Sequence, residues 1–139
     1  MAQASATIVA IANQKGGVGK STTAINLGAG LAFQDERVLL VDLDPQGNSS
    51  SGVGIDRGLI DLSTYEVLVG DAAVGDAVEP TSVAGLHVLP ATIGLAGAEI
   101  ELVSLMNRER RLANALQEAA GEYDFILIDC PPSLGLLTI

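Results

Sequence analysis

At residues 15–22 the sequence reads Lys15-Gly16-Gly17-Val18-Gly19-Lys20-Ser21-Thr22. The glycines permit a tight turn whose backbone N–H groups point inward, and a helix that begins there adds the positive end of its dipole. Lys20 brings a full positive charge to the β- and γ-phosphates of a nucleotide, and the Ser21 hydroxyl is suited to bind Mg²⁺. We therefore interpret this stretch as a phosphate-binding loop.

The sequence on either side of the loop fits this interpretation. Residues 7–12 form a short apolar, partly β-branched run that predicts a strand, and residues 21–33 are rich in Ala, Leu and Ile and predict a helix. Gln14 stands where the general pattern has its first glycine, so the loop departs from that pattern at one position. The alternative is a glycine-rich turn that carries a lysine by chance.

A second motif follows a second apolar run. Val38-Leu39-Leu40-Val41 predicts a buried strand, which leads into Asp42-Leu43-Asp44-Pro45-Gln46-Gly47-Asn48. Carboxylates at the carboxyl end of a parallel strand lie beside a neighbouring phosphate loop. Pro45 and Gly47 predict a turn that can reorganise when a phosphate leaves. The alternative is that Asp42 and Asp44 only cap the segment that follows.

A third motif lies far along the chain, where Phe125-Ile126-Leu127-Ile128 precedes Asp129. A buried strand here would carry Asp129 to the metal side of the pocket, where its carboxylate can hold a Mg²⁺-bound water or the Ser21 hydroxyl. An apolar run ending in Asp is weak evidence alone, and a structural role stays open, but the three motifs in this order support one another. They predict an α/β, P-loop NTPase-like fold with a mostly parallel sheet and helices on both faces.

The remaining segments complete this predicted fold. Residues 86–89 predict a strand ended by Pro90, and residues 64–69 and 72–78 predict small helical pieces over one sheet face. The length permits one domain, so we assign residues 1–139 to a single domain with a loose tail at residues 1–6. One apolar helical face is predicted from Leu102, Leu105, Met106, Leu112, Leu116 and Ala120.

The first motif resembles the deviant Walker A loop of the partition-type ATPases, a family that also includes MinD-like, arsenite-pump and nitrogenase-iron-protein relatives. Lys15 carries the resemblance, because in that family the lysine at this position crosses a nucleotide-sandwich dimer to the phosphates of the partner subunit. The resemblance implies an ATP-dependent homodimer in which Lys15 acts in trans, like an arginine finger. The alternative is an exposed lysine at a loop edge.

The second motif looks like that of the ParA/Soj branch of chromosome- and plasmid-partitioning proteins. By this resemblance Asp44 orients and polarises the attacking water, Asp42 supports the hydrated Mg²⁺, and Asp129 is the Walker B aspartate. The resemblance implies ATP binding by Lys15, Gly16, Gly17, Val18, Gly19, Lys20, Ser21 and Thr22, with Thr22 on the α-phosphate. It implies a Mg²⁺ site served by Ser21, Asp42 and Asp129, the aspartates through water, and hydrolysis served by Asp44, Lys15 and Lys20.

The resemblance also implies a biological setting. ParA/Soj-type switches act in the cytoplasm on the nucleoid with ATP and Mg²⁺, and a ParB-type centromere-binding partner stimulates hydrolysis. They bind non-specific DNA through basic residues in their C-terminal half. This chain has 7 basic and 17 acidic residues and a net charge of −10, which should repel DNA. The sequence stops at Ile139 without a helix stop signal, so we expect a truncated, N-terminal part of the family's domain.

Three alternatives stay open. A MinD-like membrane ATPase shares Lys15 and Lys20 but lacks the Asp-Pro-Gln-Gly run, and the sequence has neither a secretion signal nor a membrane span, so no membrane association is expected. A metabolic P-loop enzyme, such as a dethiobiotin-synthetase relative, is the second. The third is an inactive binding module that holds phosphate weakly or does not fold stably. A truncated chain has an open sheet that lacks strands, which leaves a strand edge and an apolar face uncovered. The single cysteine, Cys130, argues against the nitrogenase-iron-protein relatives, which need two.

Overall fold

The computed structural model describes residues 6–11, 20–70, 72–92 and 108–130, and for residues 20, 21 and 108–110 it describes the helical backbone without the side chains. The strands in this part of the chain are β1 (Thr7–Ile11), β2 (Val38–Asp42), β3 (Glu79–Pro80), β4 (Leu86–Leu89) and β5 (Phe125–Asp129). The helices are α1 (Lys20–Phe33), α2 (Asn48–Gly52), α3 (Thr64–Leu68), α4 (Val74–Ala77) and α5 (Arg108–Ala119), with a 3₁₀ turn at Arg57–Leu59.

The strands form one five-stranded sheet in the order β1-β5-β2-β4-β3. All neighbouring pairs run parallel except β3 with β4, which run antiparallel. The connection through α1 leads from β1 across the sheet to β2, whereas α5 lies on the return path from β4 to β5. Because parallel crossovers are right-handed, these opposite directions place α1 and α5 on opposite faces of the sheet.

Alternating side chains of each strand supply the two cores. In β2, Val38 and Leu40 pack on the α1 face with Ala24, whereas Leu39 packs on the other face with Leu116 of α5. The core on the α1 face contains Ala24, Ala32, Val38, Leu40, Val53, Leu86, Val88 and Leu127. The core on the α5 face contains Leu39, Val41, Leu43, Val67, Leu68, Val74, Ala77, Leu89, Ala91, Leu116, Ala119, Tyr123, Ile126, Ile128 and Cys130.

The predicted fold class, a mostly parallel sheet with helices on both faces, is confirmed. The predicted strands at residues 7–12, 38–41, 86–89 and 125–128 and the helix at residues 21–33 all form, with ends shifted by one residue at most. The helical pieces predicted around α3 and α4 also form, and both pack on the α5 face. Helix α2 and strand β3 were not predicted.

Some predicted features fall partly outside the described residues. Residues 1–5 of the expected tail lie outside, but Ala6 donates its backbone N–H to the Ala120 carbonyl at 3.2 Å. Of the predicted apolar helical face, Leu112 and Leu116 pack against the α5-face core, and Ala120 follows the end of α5. Leu102, Leu105 and Met106 lie outside the described residues.

Candidate functional site

The carboxyl ends of three neighbouring strands form a row at one edge of the sheet. Ile11 at the end of β1 pairs with Asp129 at the end of β5, and Asp129 pairs with Asp42 at the end of β2. Two backbone bonds close this row, from the Cys130 N–H to the Ile11 carbonyl and from the Leu43 N–H to the Asp129 carbonyl, each at 3.0 Å. The segment that contains the predicted phosphate loop leaves β1 at Ile11, directly beside Asp129.

Both aspartates of the row face the side of the sheet that α1 covers. They continue the alternation that points Leu40 in β2 and Leu127 in β5 into the α1-face core. Helix α1 begins at Lys20, so its first turn and these two carboxylates belong to the same end and the same face of the sheet. The three sequence motifs predict a phosphate and metal site at this end of the sheet, and that site stays a prediction.

The Asp42 carboxylate is completely buried and anchors the segment that follows β2. Its Oδ2 accepts hydrogen bonds from the Ser50 hydroxyl (2.7 Å) and the Ser50 N–H (3.0 Å), and its Oδ1 accepts the Asp44 N–H (3.0 Å). Burial raises the pKa of Asp42, and the three hydrogen bonds oppose that rise by favouring the carboxylate. Asp42 therefore ties strand, turn and α2 together.

Two serines of α2 connect it to the aspartates. Ser49 donates its hydroxyl to Oδ2 of Asp129, and Ser50 donates to Asp42 as described above. Both serines are fully buried. Neither serine was predicted as a site residue, and the signal that could have found them is their position in a polar run directly after the Asp-x-Asp motif.

Asp44 lies in a tight turn between β2 and α2. Its Oδ1 accepts the Gln46 N–H at 3.0 Å, and its carbonyl accepts the Gly47 N–H at 2.8 Å. Gly47 has φ 67°, the left-handed backbone that glycine adopts at low cost. The predicted turn at Pro45 and Gly47 is confirmed, and it holds Asp44, 6% exposed, close to Asp42.

The structure brings together some of the predicted site residues and leaves others outside its description. Asp42, Asp44 and Asp129 cluster at the strand ends, and Thr22 is exposed in the first turns of α1. Lys20 and Ser21 lie in the first turn of the same helix, with side chains outside the described residues. Lys15, Gly16, Gly17, Val18 and Gly19 lie wholly outside the described residues.

The donor set fits a hard divalent cation that is shared with phosphates. Asp42 and Asp129 are register partners at the ends of neighbouring strands, and Mg²⁺ in nucleotide sites takes one or two carboxylates together with phosphate oxygens and water. Among the described residues, no group of three or more His, Cys, Asp and Glu side chains could hold a metal alone.

The described helices give no sign of a membrane span, since none of them combines the necessary length with the necessary apolar character.

Comparison with known sequences gives consistent matches. The AAA_31 family, described as an AAA domain, matches residues 6–139. The chain is 60% identical over 132 residues to the sporulation initiation inhibitor protein Soj of Bacillus subtilis, and 57% identical over 132 residues to the chromosome partitioning protein ParA of Myxococcus xanthus. Each match covers 95% of this chain but only 52% and 47% of the two relatives, so the chain spans about half the length of the curated relatives it matches.

A solved structure agrees with these matches in fold. The cobyrinic acid a,c-diamide synthase of Mycobacterium smegmatis, with a bound ATP analog and magnesium, superimposes with a TM-score of 0.92 at 48% identity. The match covers 96% of this chain and 54% of that chain.

Proposed function

This chain belongs to the family of ParA/Soj-type partitioning ATPases, and on that premise we propose that it is the ATP- and Mg²⁺-binding portion of a switch that hydrolyses ATP in chromosome or plasmid partition. One observation carries the proposal: Asp129 and Asp42 stand in register on the α1 face, beside the strand end that leads into residues 15–22. The ATP analog and magnesium in the related M. smegmatis structure support the same assignment.

The phosphates are assigned to the loop and the first turn of α1. Gly16, Gly17, Val18 and Gly19 supply backbone N–H groups, and Lys20 places its ammonium on the β- and γ-phosphates. Thr22, which is exposed at the start of α1, is assigned to the α-phosphate. The positive end of the helix dipole adds to the attraction of the phosphate charge.

The metal is assigned to Ser21, Asp129 and Asp42. When bound, Mg²⁺ neutralises phosphate charge and stabilises the transferring phosphoryl group. Ser21 provides a hydroxyl from the first turn of α1, and Asp129 and Asp42 hold water at the strand ends. Asp42 already accepts three hydrogen bonds from the described residues, and a carboxylate can accept about four. Its main task in this proposal is therefore to hold the turn that carries Asp44.

Asp44 is assigned to the attacking water. Asp44 is the first residue of a turn that is anchored on Asp42, so its carboxylate can orient and polarise the attacking water from a fixed position. This assignment is tested by phosphate release from the 139-residue chain at saturating Mg²⁺ and ATP. Asp44→Ala should lower turnover by about 100-fold or more and leave ATP binding intact.

The matched control for that test is Asp76→Ala, which removes an exposed carboxylate from α4 on the opposite face of the sheet. This variant should release phosphate at the wild-type rate. Equal turnover by wild type and Asp44→Ala would overturn the role of Asp44. No turnover by a wild-type chain that binds ATP would restrict the chain to a nucleotide-binding module.

Lys15 is assigned to the phosphates of a second copy, which makes the ATP-bound form a homodimer. Sedimentation of the Asp44→Ala variant, in which bound ATP persists, should show a dimer with ATP and a monomer without it. With Lys15→Ala as a second substitution, the chain should stay monomeric in the presence of ATP. With Arg37→Ala as the second substitution, at the amino end of β2, the chain should still form the dimer. A monomer with ATP and intact Lys15 would contradict this part of the proposal.

The whole protein is proposed to work on the nucleoid in the cytoplasm with a ParB-type partner that stimulates hydrolysis. With a net charge of −10, this chain offers little electrostatic attraction for DNA, so DNA contact is assigned to other parts of the whole protein.

A second candidate function is that of the related M. smegmatis protein, a cobyrinic acid a,c-diamide synthase. Partition is preferred because Soj and ParA are 60% and 57% identical to the chain, compared with 48% for that structure. Stimulation by cobyrinic acid and an ammonia donor, in place of a ParB-type partner, would favour the second candidate.

A further inference from the structure

Arg57 makes three contacts that the sequence motifs did not predict. It begins the 3₁₀ turn after α2, and its guanidinium reaches back to the turn between β2 and α2. Nη2 donates to the Pro45 carbonyl at 2.6 Å, Nη1 donates to the Gln46 carbonyl, and Nε donates to the Ala91 carbonyl at 2.9 Å. Arg57 thereby joins the turn that carries Asp44 to the segment just beyond β4.

The backbone at Gly47 is shaped around this guanidinium. A Cβ atom added at Gly47 would overlap the Cζ and Nε atoms of Arg57, so the arginine can lie against the turn only because this position has no side chain. The same glycine has φ 67°. The turn and the arginine therefore form one unit, in which each depends on the shape of the other.

The contacts of Arg57 complete the attachment of the turn. Asp42 holds the beginning of the turn through the Asp44 N–H and holds α2 through Ser50. Between these two points, Arg57 holds the Pro45 and Gln46 carbonyls, which directly follow Asp44. A guanidinium is suited to this, because it presents five N–H donors in a rigid plane.

We propose that Arg57 is a positioning residue for Asp44. Its guanidinium links the Pro45 and Gln46 carbonyls to the Ala91 carbonyl. This link keeps the Asp44 carboxylate in the orientation that hydrolysis requires. This inference rests on the proposed function, because it assumes that Asp44 acts on the attacking water. Displacement of a reacting group by about 1 Å can cost about 100-fold in rate. Loss of the arginine should therefore lower the rate of the chemical step while leaving the phosphate loop unaffected.

The first test measures the turn itself and needs no turnover. In the nucleotide-free chain, the Gly47 and Ser51 amides are hydrogen-bonded to the carbonyls of Asp44 (2.8 Å) and Gly47 (2.9 Å). Their hydrogen exchange should accelerate about tenfold or more in Arg57→Ala. Arg57→Lys should give nearly the same acceleration, because one ammonium cannot reach three carbonyls in the fork geometry of a guanidinium. Exchange equal to wild type in both variants would overturn the proposal.

The second test separates positioning from general stability. Arg57→Ala should lower kcat for ATP hydrolysis by about tenfold to 100-fold, with the KM for ATP changed less than about threefold. The matched control is Arg37→Ala, which removes an arginine bonded to Asp124 at the amino ends of β2 and β5. It should leave both kcat and the exchange of the turn unchanged.

The outcomes distinguish this proposal from the proposed function. A wild-type chain that binds ATP without turnover is restricted to a nucleotide-binding module, and the exchange experiment then decides alone whether Arg57 holds the turn. Faster exchange in Arg57→Ala with an unchanged kcat would overturn the positioning role. Faster exchange with a reduced kcat and a nearly constant KM would support it.

Discussion

At the scale of single residues, Asp42 shows how a buried carboxylate can organise a site. Removing a charge from water is costly, and the pKa of Asp42 is raised by burial. Three hydrogen bonds offset part of this cost, and all three come from the turn and helix that follow β2. The local structure after β2 is therefore stabilised by the need to pair this carboxylate.

Ser50 offers a direct test of that coupling. Its hydroxyl donates to Asp42 at 2.7 Å and accepts the Ala91 N–H at 3.0 Å. Ser50→Ala removes a donor from a buried carboxylate and an acceptor from a buried N–H, so we expect the free energy of unfolding to fall by about 1–3 kcal/mol. Urea denaturation measures this change. Ser51→Ala, on the exposed side of α2, is the control and should be nearly neutral; equal stabilities of the two variants would argue against the coupling.

Gly47 is expected to be intolerant of any side chain. Alanine there would adopt the left-handed region at a cost of about 1–2 kcal/mol, and its Cβ would also collide with Arg57. We expect Gly47→Ala to lower the free energy of unfolding, measured by urea denaturation, by more than this backbone cost alone. Gly75→Ala is the control, because a Cβ at Gly75 meets no atom within 4 Å and the residue lies in helix α4. A Gly47→Ala variant as stable as Gly75→Ala would contradict the described turn.

At the scale of elements, the amino ends of β2 and β5 are joined by an exposed arginine and a half-buried aspartate. Asp124 accepts hydrogen bonds from the Arg37 N–H (2.8 Å), Nη2 (3.2 Å) and Nε (3.3 Å). In return, the Arg37 carbonyl accepts the Asp124 and Phe125 N–H groups at 2.8 and 3.1 Å. The hydrogen bonds and charge of Arg37 lower the pKa of Asp124. The pair fixes where the two central strands begin.

The lowered pKa of Asp124 predicts a pH dependence with a definite sign. A carboxylate whose pKa is lower in the folded chain stabilises it fully above its ordinary pKa of about 3.9, and this contribution is lost as the pH falls through the lowered value. The gap in urea midpoint between wild type and Asp124→Asn should thus be constant from pH 7 to pH 5 and shrink below about pH 4. The gap should be small because the arginine is exposed, and it should shrink with added salt. A gap that stays constant down to pH 3 would contradict the assignment.

Elements with an apolar pattern could be predicted from the sequence, and those made by distant contacts could not. Strand β2 was predictable because each residue from Val38 to Val41 is apolar. Helix α2 has the sequence Asn-Ser-Ser-Ser-Gly, which favours neither helix nor strand; it forms where Ser49 and Ser50 reach buried aspartates. Strand β3 has two residues and includes Pro80, so it carries no period to recognise.

The candidate site divides in the same way. Asp42, Asp44 and Asp129 were predictable because each follows or ends an apolar run. Ser49 and Asp129 are 80 positions apart, and Arg57 and Ala91 are 34 apart, so only the folded chain brings each pair together. The polar run after the Asp-x-Asp motif marks Ser49 but does not reveal its partner, and Arg57 has no comparable local pattern. The contacts by which Ser49 and Arg57 hold the site in place were therefore found only in the structure.

At the scale of the whole molecule, charge sets the conditions for binding a nucleotide. The chain has a net charge of −10, which repels a polyanion such as ATP at long range. Its only two lysines, Lys15 and Lys20, both lie in the stretch of sequence from β1, whose last residue pairs with Asp129, through the first turn of α1. In the proposed function, ATP binding therefore depends on this stretch, and Lys20 should contribute a large part of it.

Equilibrium binding of ATP to the 139-residue chain tests this central claim most directly. Isothermal titration should give one ATP per chain, with affinity that depends on Mg²⁺. Lys20→Ala removes a charged hydrogen-bond donor and should weaken binding by about tenfold to 100-fold, whereas Arg37→Ala should bind like wild type. A folded wild-type chain that binds no ATP, or a Lys20→Ala variant that binds it equally tightly, would contradict the assignment of residues 15–22 as the nucleotide site.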